Sequence, residues 1–416
     1  MRGFIFFLFI FFNFLNPISP ILTILVDLLV LVSSRRVRFG HDHTFSIIVI
    51  GGIIIWIWSI LVMAINLHFD TYIFVKYLRM PIMAIILSGC ISNLKFKKET
   101  VINSFYFLCL CNLLMIGVEL AVPSTREIMA RIMNVARTDV ASGITLGNRV
   151  MGLAGSYEFC AIMCIMLMVI CYFKYKKRNS LIHLIIIIIS FASLIAVSRT
   201  GMLVGAAVLV FLMIGLFKVS KSYHRVIIGG FSFAGFFLAG YIIIPIVLNS
   251  SGLLDNAIET KYALEIVTSD YGSGTASELT SGGSHLNILK EPFTDLIFGY
   301  GINSEDITTK KISTDIGYLE YICHIGIIGL FMVVLMHLLL VRRLNEYRKS
   351  LLKISATEDI QTLISVTIIY IAILFIFNYK LMLLYSRGTF ELMTILVFAA
   401  VKLTKSYKEL CVQNTI

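Results

Sequence analysis

The chain has 416 residues, of which 58% are hydrophobic and 14% charged, with a formal net charge of +11. Soluble domains run at about half apolar and about a quarter charged, so a soluble enzyme, a secreted disulfide scaffold and a nucleic-acid-binding domain all fit poorly. With 6 Pro in long runs of Ile, Leu, Phe and Val, the composition predicts an all-α polytopic membrane protein.

A spanning helix needs roughly 20 apolar residues. Taken in order, the apolar runs predict twelve spans at about 3–15, 17–33, 45–65, 72–90, 101–120, 148–172, 181–197, 201–217, 226–247, 316–341, 360–378 and 382–403. The first two form one apolar stretch, which the cluster Asn13, Asn16, Pro17 and Pro20 turns into a tight hairpin; a single span there is the alternative. The N-terminal run lacks a small-residue cleavage site, so it reads as a retained anchor and not a signal peptide. The organisation expected is an N-terminal group of helices (1–120), an outer amphipathic segment with central helices (121–247), a large outer loop (248–315), and C-terminal helices with a short tail (316–416).

Charge distribution sets the expected orientation. With both termini inside, 22 of the 35 Lys and Arg fall on the inner side, in short loops such as Arg35-Arg36-x-Arg38, Lys174 to Arg178 and Arg342 to Lys353. That asymmetry is the positive-inside rule, so the basic balance reports topology and not a nucleic-acid partner. The loop 248–315 is acidic, with ten carboxylates against four lysines. It holds a helical repeat (Leu254, Ile258, Tyr262, Ile266), a Gly/Ser/Thr stretch, and a short helical piece at His285 to Leu289. Within 121–147, Pro123-Ser124-x-x-Glu127 is a capping-box pattern, and Ile128, Ile132 and Val135 give one apolar face, so a helix lying along the outer surface is expected.

No GxxxxGK[ST], HExxH, zinc-spaced Cys/His cluster or Asp-x-Asp occurs, so neither a phosphate-cradling loop nor a metal site is predicted. The eight cysteines sit in apolar spans or at the inner C-terminus and read as packing residues. The informative residues are cations off the inner side. Lys76 and Arg79 lie within the fourth span. Arg126, Arg131, Arg137 and Arg149 belong to or border the first outer segment. Arg199 sits between two short spans in Ser198-Arg199-Thr200-Gly201, and Arg387 lies in the last span, with Lys380 ahead of it.

Ionisable groups at membrane depth are costly and mark function, and arginine is the residue for forked recognition of phosphate oxygens. Converging outer arginines therefore suit a lipid-linked diphosphate, with headgroup pairing and snorkelling as the plain alternatives. Glu158, Glu320 and Glu391 read as partners for such cations. Asp315 stands where the long loop re-enters the membrane and is placed to act as general base toward a sugar hydroxyl. His285 and His324 are alternatives for that role.

These residues carry a family likeness: the chain resembles the bacterial O-antigen polymerases (Wzy type) of the O-antigen polymerase/ligase family. The likeness rests on Asn148-Arg149-Val150-Met151-Gly152-Leu153-Ala154-Gly155-Ser156-Tyr157, on Ser198-Arg199-Thr200-Gly201, and on a third group of stretches. That group is Leu296-Ile297-Phe298-Gly299-Tyr300-Gly301, Thr314-Asp315-Ile316-Gly317-Tyr318-Leu319 and Gly326-Ile327-Ile328-Gly329-Leu330. The likeness covers about residues 145–341. The ligase branch shows a His-Asn pair where the large loop meets the next span; Thr314-Asp315 stand here, which favours polymerase. An arginine often precedes the Phe-Gly-x-Gly stretch in the family, where this chain has Ser284-His285.

The resemblance implies a GT-C-like, metal- and cofactor-independent glycosyltransferase at the periplasmic face of the bacterial inner membrane. It would join undecaprenyl-diphosphate-linked repeat units for lipopolysaccharide, in contact with membrane lipids and with a chain-length regulator as a candidate partner. In that reading Arg149, Arg199 and Arg387 hold or stabilise diphosphate, Arg126 assists binding, Asp315 orients or deprotonates the acceptor, and Tyr318 and His285 contact sugar. An O-antigen ligase and a lipid-linked oligosaccharide flippase are the rival readings. The 68-residue outer loop, and the lack of two related halves expected of a secondary transporter, count against the flippase.

Overall fold

The computed structural model describes residues 2–15, 20–32, 42–122, 124–125, 128, 150–154, 156–219, 293–302, 317–353 and 358–413. Among them the regular structure is helical: α1 (Arg2–Phe14), α2 (Pro20–Val32), α3 (His43–Ile65), α4 (Thr71–Asn93), α5 (Lys98–Ala121), α6 (Tyr157–Arg178), α7 (Leu181–Val197), α8 (Arg199–Val219), α9 (Phe293–Phe298), α10 (Gly317–Lys353), α11 (Glu358–Phe377) and α12 (Thr389–Gln413). Helices α3, α4, α5, α6, α10 and α11 are long and apolar enough to cross a membrane; α1, α2, α7 and α8 are shorter apolar helices. Large apolar side chains line the outside, such as Ile50, Ile54, Ile57 and Leu61 on α3 and Phe331, Leu335 and Leu338 on α10. A water-soluble fold hides such stripes, and a bilayer rewards them. The chain is a membrane-embedded helical protein.

Helix α6 is the centre. Phe159 to Cys171 is buried on every side, and α6 packs against α5, α7, α8 and α11. Ser156 accepts from the Phe159 N–H at 3.2 Å to start it. Asn179, in the left-handed region, ends it after the basic turn Lys176-Lys177-Arg178, where cations favour a helix C-terminus. A single extended residue, Ser198, separates α7 from α8, and its Oγ accepts from Gly201 N at 3.2 Å. At the start of the chain, Asn13 Nδ2 donates to Asp27 Oδ1 (2.9 Å) and Thr23 Oγ1 to the Phe12 carbonyl (2.9 Å). The first apolar stretch is therefore two helices side by side.

Two ends of the bundle differ in character. At one, basic side chains tie helix ends together. Lys402 Nζ reaches the carbonyls of Ile91, Ser92 and Leu94 (2.8, 3.0 and 2.7 Å), Lys177 pairs with Asp359 (2.7 Å), and Tyr347 and Lys405 meet Asp42. The other end carries the 66–70 turn, the 150–154 turn, the α7–α8 junction, the 299–302 segment and the 378–388 turn.

Two expected spans start later than predicted. The sixth, expected from 148, begins at Tyr157 because Glu119 and Asn112 accept from Met151 N and Leu153 N (3.0 and 2.9 Å) and hold the chain in a turn. Glu158 is thus in a first helical turn, not deep in a span. The last, expected from 382, begins at Thr389, so Arg387 lies in the preceding turn and is exposed. The expected outer helix and most of the long loop lie outside the described residues.

Candidate functional site

Helix α4 starts on Asp70, whose carboxylate accepts from Tyr72 N and Ile73 N (2.8 and 3.2 Å). Three residues apart, Lys76 and Arg79 share one face of it. Lys76 Nζ lies 3.4 Å from Glu320 on α10. Arg79 splits its fork: Nη1 pairs with Glu391 on α12 at 2.9 Å, and Nη2 donates to the Tyr385 carbonyl at 2.6 Å. The Glu391 side chain is fully buried, and its second oxygen accepts from Gly388 N at 2.7 Å. A lone buried charge is unaffordable, whereas a paired and hydrogen-bonded one persists. α4 is therefore bolted to α10 and to the start of α12.

Between the two ion pairs sits an aromatic group. Tyr385 meets Tyr77 and Tyr321 edge-on (ring centroids 6.0 and 5.7 Å), and Tyr77 meets His324 at 6.4 Å. His324 Nε2 stands 3.9 Å from Glu320, one turn earlier on α10. The hydroxyls of Tyr77, Tyr321 and Tyr385 and both ring nitrogens of His324 are buried without a hydrogen-bond partner among the described residues. Such groups are rare in folded proteins and call for an explanation. The centre balances two cations against two carboxylates, and its phenols and imidazole add proton donors and acceptors.

Two junctions at the same end are built on glycine. Gly152 has φ +57°, and a Cβ there would stand 2.6 Å from Asn112 Oδ1. Beside it, Val150 N donates to the Ala196 carbonyl at 3.0 Å, joining the 150–154 turn to the residues just before Ser198. At the second junction α10 breaks at Gly326 (φ 69°, ψ 179°), and the 297–301 backbone fills the break. Tyr300 N and Gly301 N donate to the Cys323 carbonyl (2.7 and 3.2 Å). Trp58 Nε1 takes the Ile325 carbonyl at 2.8 Å, and Asn66 Nδ2 takes that of Gly299 at 3.0 Å.

Of the residues singled out from sequence, Arg199 is the first residue of α8. Arg387 is exposed in the 378–388 turn, without an ion-pair partner among the described residues. The Tyr318 hydroxyl donates to the Phe375 carbonyl at 2.6 Å and pins α10 to α11. Arg126, Arg149, His285 and Asp315 lie outside the described residues. Val150, which follows Arg149, is bonded three residues ahead of Arg199. Sequence reading picked out Lys76, Arg79, Glu320 and Glu391 one by one but not their pairing. Tyr385 stood out only as part of Tyr385-Ser386-Arg387-Gly388, and Tyr77 and Asn378 carry no comparable signal in the sequence. No protein-family model matches the chain, and no curated protein sequence matches it.

Proposed function

We propose that the chain is an O-antigen polymerase, joining undecaprenyl-diphosphate-linked repeat units at the periplasmic face of the inner membrane. One observation supports the reading: among the described residues, parts of the stretches behind the resemblance form backbone junctions at one end of the bundle. The 150–154 turn meets the end of α7 just before Arg199, and 297–301 meets the Gly326 break. Motifs distant in sequence thus form two backbone junctions, both at the end opposite the basic one. Under the positive-inside rule the basic end is cytoplasmic, twelve spans include 226–247, and loop 248–315 is periplasmic.

In this reading the acceptor hydroxyl attacks the anomeric carbon of the donor glycan. The new C–O bond forms as the bond to the lipid diphosphate breaks, and the hydroxyl proton passes to a base, Asp315. Arg149, Arg199 and Arg387 hold the diphosphate and offset its growing charge, with Arg126 at the margin. Tyr318, its hydroxyl engaged by Phe375, offers its ring to sugar, and His285 comes from the loop. The donor is already activated, so the step needs no cofactor. Membrane lipids and a chain-length regulator are the proposed partners.

Deletion of the gene, with a complemented strain beside it, is the test. Lipopolysaccharide collapsing to core plus one repeat unit supports the polymerase. Core alone with polymer left on the lipid carrier means ligase, core alone with no exported repeat means flippase, and an unchanged ladder rejects the pathway. In the complemented strain, Arg199→Ala and Arg199→Lys should both lose polymer; full activity in both at normal protein levels removes the diphosphate role.

A further inference from the structure

We infer that Arg79 and Glu391 are positioning residues, which latch the 378–388 turn so that Arg387 is preset for a phosphate-bearing ligand. The inference rests on the diphosphate role proposed above for Arg387. The turn joins α11 to α12 without regular structure, so its backbone groups need side-chain partners. Asn378 Oδ1 accepts from Leu383 N and Leu384 N (2.9 and 3.3 Å). The Tyr385 carbonyl accepts from Arg79, and Gly388 N, at φ +84°, donates to Glu391. Thr389 Oγ1 donates to the Ser386 carbonyl at 3.1 Å. From Met382 to Gly388 the residues are buried or half-buried except Arg387, which is exposed.

A single guanidinium thus ties the turn's carbonyl and the helix's carboxylate to α4 at once. Lysine, a point charge without the fork, does not reproduce that geometry. A cation on a free loop loses binding energy to ordering; a latched one does not. Glu391 is fully buried, and Arg79 commits both terminal nitrogens of its fork to Glu391 and the Tyr385 carbonyl. Both therefore act through Arg387.

The test uses the full chain in phosphatidylcholine nanodiscs, titrated with farnesyl diphosphate and separately challenged with phosphatidylglycerol. Arg387→Ala should weaken diphosphate binding about tenfold and Arg79→Lys about threefold or more, as coupled contacts do. Adding Arg79→Lys to Arg387→Ala should cost nothing further. An equal Arg79→Lys loss in both backgrounds overturns the inference, because the residue then acts elsewhere. Unchanged binding in Arg387→Ala removes the diphosphate role itself; loss in Arg387→Ala alone removes only the latch. Displacement by phosphatidylglycerol identifies a lipid headgroup as the source of the phosphate and leaves the latch standing.

Arg79→Met/Glu391→Met removes the pair without stranding a charge and should match Arg79→Lys. Hydrogen exchange on the unaltered protein needs no variant. The Leu383, Leu384 and Gly388 amides should be protected before ligand is added. Exchange as fast as in an exposed loop overturns the latch.

Discussion

Replacing Gly326 by alanine tests the central joint of the bundle. The residue breaks α10 at φ 69° and ψ 179°, a region open in practice only to glycine. A side chain there costs about 1–3 kcal/mol in backbone strain. The added Cβ would collide with the Ile297 carbonyl oxygen and the Phe298 carbonyl carbon. Both are backbone atoms, so relief requires moving the 293–301 segment, and overpacking of this kind costs about 1–3 kcal/mol more. The expected loss is about 2–6 kcal/mol, a large share of the 5–15 kcal/mol typical of a folded protein. Thermal unfolding in detergent should show a lower midpoint, and brief proteolysis should cut near 293–302. Gly117→Ala is the control: nothing lies within 4 Å of its Cβ position, and alanine is the better helix former by up to about 1 kcal/mol. If Gly326→Ala matches the unaltered protein in both assays, the joint does not hold 293–301 against α10.

Three further outcomes follow from local geometry. Lys402→Met strips three carbonyls at the end of α4 of their shared donor and should cost about 2 kcal/mol of stability in detergent unfolding; an unchanged midpoint would show that water replaces the ammonium. Asp27→Asn keeps an acceptor for Asn13 Nδ2 and adds a donor for Asn13 Oδ1, which has no partner among the described residues. It should stay within about 1 kcal/mol of the unaltered protein, whereas Asp27→Ala should lose about 1–3 kcal/mol, and equal losses would contradict the pairing. At the basic end, burial pushes the Asp42 carboxyl up, but Thr44, Tyr347 and Lys405 together outweigh it and hold it below its ordinary 3.8. Its stabilisation is present above pH 3.8 and lost as pH falls through the depressed value. Asp42→Asn should flatten that acid limb of the stability curve.

Hydropathy alone carried most of the helix layout. Eleven of the twelve expected spans coincide with described helices, and 181–197 matches residue for residue. Long apolar runs in a lipid solvent have one stable backbone form, because each polar backbone group must be satisfied within the segment. The two late starts show where that logic stops. At 150–154 and 378–388 the side chains of Glu119, Asn112, Asn378 and Glu391 satisfy backbone groups in place of helix bonds. In the first case both partners lie on another helix, α5, and in the second the latch needs Arg79, more than three hundred residues away.

The same division runs through the site. The costly ions were legible one at a time, since Lys76, Arg79, Glu320 and Glu391 interrupt apolar runs. Which cation meets which carboxylate was not, because pairing depends on the crossing of α4 with α10 and α12. Gly299 and Gly326 were visible within motifs, but their reason is mutual: a Cβ on either would strike the backbone of the other's segment, whereas one on Gly301 would meet Met63 of α3. Composition and charge determined that this is a helical membrane protein with a basic end. Tertiary structure decided where helices break and which ions pair, since both follow from close contact between segments far apart in the chain.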